Sequence, residues 1–176
     1  MTSSASKDQG GFTVEFVRDP GVSGEWLNRF VVDLDTKKVL YYCDVSDDSY
    51  FEVHRGDING PVVAFSQQCP SQPGSTDVVL THPAEDFKVE HMHYDTATNL
   101  TEITGNGRKY SWKKGELVDE EGVLLAQLHV IEREDDNDQR LGTLAVKGRN
   151  VQGLTDAIVV SALLVQERSD ENKTWF

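Results

Sequence analysis

The sharpest chemical feature of this 176-residue chain is a pair of histidines one residue apart, His91 and His93. In a β-strand, residues i and i+2 share a face, which sets these imidazoles on one side, about 6.5–7 Å apart at Cα. That spacing suits two ligands of a single divalent metal ion, and one imidazole there would also serve as a general base. Two ligands do not complete a site. His54, His82, His129 or a carboxylate must converge on them in space. Glu90 and Asp95 are close in sequence, but Glu90 falls on the opposite side of the strand. The plain alternative is two histidines on a half-exposed strand, a position that histidine occupies easily.

The second constellation is basic. Arg108, Lys109, Lys113 and Lys114 form the only dense cationic cluster, interleaved with Tyr110 and Trp112. Alternation turns the two aromatics inward and Lys109, Ser111 and Lys113 outward, so that Lys109 and Lys113 would clamp a phosphate group. The competing reading is a solvated face that balances Glu116, Asp119, Glu120 and Glu121. Other candidates are weaker. Asp44, Asp47 and Asp48, and the acidic stretch 132–138, lack the ligand spacing of an EF-hand. Cys69 has no adjacent base, Ser66, Ser71 and Ser75 lack a nucleophile-elbow context, and no nucleotide-binding fingerprint is present.

The elements that would position these residues read as mostly β. Phe12, Val14 and Phe16 alternate with Thr13 and Glu15. The stretches 29–33 and 39–44 flank a turn at Asp35-Thr-Lys-Lys, and 50–54 and 62–66 flank Gly56-Asp-Ile-Asn-Gly. Residues 87–95 alternate, with Phe87, Val89, His91 and His93 on one side and Lys88, Glu90, Met92 and Tyr94 on the other. The stretches 100–104 and 109–113 lie either side of Gly105-Asn-Gly, a hairpin turn because Asn and Gly tolerate positive φ. Strands are also expected at 77–80, 116–118, 123–131 and 141–146. Short strands with turns at this spacing indicate an antiparallel sandwich or barrel.

One segment breaks the pattern. Residues 157–165 are apolar at every position except Ser161, with Thr155 as a candidate N-cap and Asp156 near the positive end of a helix dipole. Ala157, Ala162, Leu163 and Leu164 favour a helix, whereas Ile158, Val159 and Val160 would also suit a buried strand. Either way the segment has no polar face and must be enclosed on all sides.

Composition bounds the function classes. The length fits one domain, with residues 1–11 and 171–176 as tails around a domain at 12–170. A formal net charge of −13 repels nucleic acid and anionic membrane as generic partners. No apolar run approaches the about 20 residues of a membrane span. With no secretory leader and only Cys43 and Cys69, the chain reads as cytoplasmic with reduced thiols.

Three runs together carry a family resemblance. They are Arg108-Lys-Tyr-Ser-Trp-Lys, then Glu116-Leu-Val-Asp with Gly122-Val-Leu-Leu-Ala, then Gly153-Leu-Thr-Asp-Ala-Ile-Val-Val-Ser-Ala-Leu-Leu. They resemble a fungal family of uncharacterised small proteins that is similar to the tubby C-terminal, scramblase and LURP-one group, over roughly residues 95–170. The resemblance implies a closed antiparallel β-barrel threaded by a buried apolar C-terminal helix. It also implies a phosphoinositide headgroup as the natural candidate for the Arg108–Lys114 cluster. The expectation is therefore a non-catalytic binding module for a lipid headgroup, a small apolar ligand or a protein. The rivals are an enzyme built around His91 and His93, metal-dependent or using a histidine base, and an acidic protein-interaction component.

Overall fold

The computed structural model describes residues 11–21, 28–47, 50–68, 75–81, 87–95, 100–131, 139–147 and 152–171. The expected tails at 1–10 and 172–176, Cys69, His82 and the acidic stretch 132–138 lie outside them.

Twelve strands follow one another along the chain: β1 Phe12–Arg18, β2 Arg29–Asp33, β3 Val39–Asp47, β4 Tyr50–Arg55, β5 Val62–Gln68, β6 Ser75–Leu80, β7 Val89–Asp95, β8 Leu100–Gly105, β9 Arg108–Lys113, β10 Glu116–Asp119, β11 Leu124–Val130 and β12 Arg140–Val146. Each pairs antiparallel with the next, and β12 returns to β1, closing a barrel. Closure leaves no unpaired sheet edge. The β8–β9 and β9–β10 turns are made by Asn106-Gly107 (φ 50° and 72°) and Lys114-Gly115 (φ 52° and 79°). Positive φ at both central residues is what a two-residue hairpin with right-handed twist requires.

The helix α1, Gln152–Glu171, runs inside this barrel. Residues 157–164 are each at most 1% exposed. The helix packs on β7, β8, β11 and β12, while its side chains bond to β3, β4 and β9. Walls on all sides account for the missing polar face. Barrel diameter grows with strand number, and eight strands already fill with their own side chains. Twelve leave a lumen that a helix about 10–12 Å across can occupy. Ser161, the one polar interruption, accepts a bond from the Trp112 indole (2.9 Å) and donates to the Ile158 carbonyl (3.0 Å).

Two local expectations change. The helix starts at Gln152, before the expected Thr155 cap, and the Asp156 carboxylate is engaged by Tyr41 and Arg55. A register shift between Val89 and His91 also breaks the even alternation of β7. Phe87 lies on the core and Val89 is half-buried; beyond the shift it is Met92 and Tyr94 that turn inward, and the histidines face out.

Candidate functional site

The sequence candidates fall on two separate parts of the barrel. At the end of the lumen reached by the C-terminal half of α1, a cavity of about 340 Å³ is bounded by the ends of β7, β9 and β11 and the start of β8. Tyr94, Thr101 and Trp112 form one wall, Leu128 and Val130 another, and Val165 the helix side. Lys114 and Gly115 of the β9–β10 turn complete the rim. The turn is held on β11, where the Leu128 N–H donates to the Gly115 carbonyl (2.7 Å). A Cβ at Gly115 would meet the Leu128 carbonyl oxygen at 2.7 Å, so glycine is needed for contact as well as for φ.

Of the four basic residues, only Lys114 lines this cavity; Lys113 ends β9 one residue before it and is exposed. Arg108 and Lys109 start β9, and at about 3.4 Å per residue Arg108 and Lys113 stand about 17 Å apart. Lys109 is also paired with Glu102 (3.5 Å). Neither Lys113 nor Lys114 has an ion-pair partner among the described residues. Gln166, next to Val165 on the helix, is fully buried, and neither of its amide atoms has a hydrogen-bond partner among those residues.

The opposite end is organised differently. A recess of about 400 Å³ there is lined by Phe12, Lys38 and Leu40, with Tyr41, Arg55 and Thr155 toward the helix. The Tyr41 hydroxyl donates to Asp156, and Arg55 Nη2 lies 2.7 Å from the other Asp156 oxygen. The Arg55 guanidinium also sits 5.6 Å from the Tyr41 ring centre, within cation–π range. Burial, then the Asp156 charge and its hydrogen bond, push the Tyr41 phenol up, with Arg55 opposing.

The histidine pair lies on the outer wall. The imidazoles of His91 and His93 stack at 5.4 Å between centres with an 18° tilt. Asp77 stands opposite His93 on β6, and its Oδ1 is 2.7 Å from His93 Nδ1 and 3.2 Å from His91 Nε2. Burial works to raise the Asp77 carboxyl, but hydrogen bonds and charge from His93 and His91 hold it below the ordinary carboxylate value. The other histidines do not join. His54 is tied to the Gly60 carbonyl (3.0 Å) and Glu52 (3.4 Å), and His129 is on β11. Sequence reasoning had Asp77 only at the start of a short strand. Its partnership depends on the β6–β7 register, which no local motif encodes.

These features define a class: a closed twelve-stranded antiparallel barrel plugged by its own helix, with polar chemistry at the mouths and on the wall. Residues 27–171 match the family of unknown function DUF6593, and the chain belongs to that family. No curated protein and no solved structure matches it. Among the described residues, no helix is long and apolar enough to cross a membrane.

Proposed function

We propose that the protein is a non-catalytic binding module that takes the phosphate-bearing headgroup of an amphiphile, a phosphoinositide being the candidate, at the mouth beside Lys113 and Lys114. The carrying observation is the cavity between Trp112, Leu128, Val130 and Lys114. It offers a mixed lining, more polar than apolar, and at its rim an ammonium group with no ion-pair partner among the described residues. The plugged lumen favours a ligand at the rim over one deep inside the barrel. A strongly acidic surface disfavours generic attraction to anionic membrane, so a headgroup must be recognised by local contacts. The resemblance to the tubby-like group supports the same ligand class, and a cytoplasmic setting would present it.

Co-sedimentation with phosphatidylcholine vesicles, with and without phosphoinositide, tests this reading. Binding is expected only with phosphoinositide, and it should fall at least tenfold in the Lys113→Glu/Lys114→Glu double variant. Equal binding to phosphatidylserine vesicles, no binding at all, or binding unchanged by the charge reversal would each overturn it.

A further inference from the structure

We propose that Asp77, His91 and His93 form a binding site for one late first-row divalent metal ion, zinc above all, which clips β6 to β7 on the outer wall. One ligand atom from each residue lies within 4.8 Å of the other two. Zinc binds imidazole nitrogen and carboxylate oxygen at about 2.0–2.2 Å, so tetrahedral donors sit about 3.3–3.5 Å from one another. The two Asp77 distances, 2.7 and 3.2 Å, are a little shorter than that. An ion entering the trio therefore needs only small outward side-chain movements. Both rings already aim a nitrogen at the same carboxylate oxygen, His93 through Nδ1 and His91 through Nε2.

Backbone geometry fixes this convergence. His91 and His93 share a face by strand alternation, the register shift after Val89 turns that face outward, and Met92, fully buried between them, anchors the strand in the core. Asp77 is held opposite His93 by the sheet ladder. Ligands carried on strands hold their positions better than ligands on loops. The β6–β7 ladder has three registered pairs, Ser75↔Asp95, Thr76↔Tyr94 and Asp77↔His93. Beyond the last pair, β6 continues against β5 and β7 against β8. The trio thus sits where two neighbouring strands part, and a metal bridge there adds a cross-strand link where the ladder ends.

Donor chemistry selects the ion. Two imidazoles and one carboxylate suit zinc, copper or nickel, and disfavour calcium and magnesium, which take mostly oxygen ligands. Three protein ligands leave a coordination position for water or a further ligand. The side chain of His91 is 58% exposed, which gives the ion a path from solvent.

The test uses the full chain without a polyhistidine tag, stripped with EDTA. Calorimetric titration with zinc chloride should show one ion per chain at micromolar or tighter affinity, and calcium and magnesium should give no heat. His91→Ala and Asp77→Asn should each weaken zinc at least tenfold, while His129→Ala leaves it unchanged. Zinc should raise the thermal midpoint of the wild type and of His129→Ala but not of His91→Ala. Because His91 is exposed, that variant is expected to unfold at the wild-type temperature in EDTA. If it does not, cobalt loading of the wild type supplies a second readout, a visible d–d spectrum of tetrahedral intensity that zinc displaces. No 1:1 zinc binding, binding that survives His91→Ala and Asp77→Asn alike, or cobalt with only the weak spectrum of the hydrated ion would overturn the proposal. None of these outcomes depends on the mouth beside Lys114.

Discussion

The two ends of the lumen have recesses of similar size, yet they treat buried polar groups in opposite ways. Where α1 begins, Asp156, Tyr41 and Arg55 satisfy one another. Where its C-terminal half reaches the other mouth, Gln166 is buried with neither amide atom partnered among the described residues, beside a cavity rimmed by Lys114. Buried polar groups are normally paired, because leaving one unpaired costs about 1–3 kcal/mol. The difference teaches that one end is built to hold the helix in place. The other retains a buried amide with no hydrogen-bond partner among the described residues.

The largest effect should come from breaking the paired end. Asp156→Ala leaves the Tyr41 hydroxyl and Arg55 without their shared acceptor. A fully buried pair broken this way costs about 3–5 kcal/mol, and because the Arg55 side chain is 42% exposed the loss here should be about 2–3 kcal/mol. Urea unfolding monitored by Trp fluorescence measures it. A loss under about 0.5 kcal/mol, the level of an ordinary surface change, would mean that this network does not anchor the helix.

At the open end the sign reverses. Gln166→Met keeps the volume and removes the unpaired amide, so the protein should gain about 1–2 kcal/mol in the same urea assay. If the amide contributes to ligand recognition, phosphoinositide binding should weaken in the same variant. A destabilised Gln166→Met protein would show that the amide is partnered, and the contrast between the two ends would fail.

The sequence shows unevenly how these ends arise. The plug was legible because nine residues with one polar interruption admit no exposed face, and Asn106-Gly107 announced its hairpin through the φ values that those residue types allow. Tyr110 and Trp112 pointed inward as strict alternation requires. Alternation failed on β7, where one register shift reversed which residues face the core. What escaped entirely was contact between distant positions. Asp77 meets His93 sixteen residues on through the β6–β7 register, and Tyr41 meets Asp156 across 115 positions because the helix lies inside the barrel, neither of which a local pattern encodes. Arg108 and Lys114 looked like one cluster for the converse reason, since neighbours in sequence occupy opposite ends of a strand.

The smallest effect at neutral pH, and the most discriminating at alkaline pH, belongs to Tyr41→Phe. Asp156 keeps Arg55, so the loss at pH 7 should be about 1 kcal/mol, the worth of one hydrogen bond. The folded-state pKa of Tyr41 is raised above its ordinary value of about 10, so its contribution is complete below that pH. As pH rises past about 10, the unfolded chain gives up the phenolic proton first. Stability then falls by about 1.4 kcal/mol per pH unit until the folded phenol also ionises. Removing the hydroxyl should make the alkaline decline shallower by that slope. It should not abolish the decline, because Tyr42 is also pushed up to about 12, by burial and its bond to Asp19. Urea unfolding at intervals from pH 8 to pH 11 reads the difference directly. Parallel curves for wild type and Tyr41→Phe would mean that Tyr41 ionises as an exposed phenol does, and that the end holding Asp156 is no better sealed than the end holding Gln166.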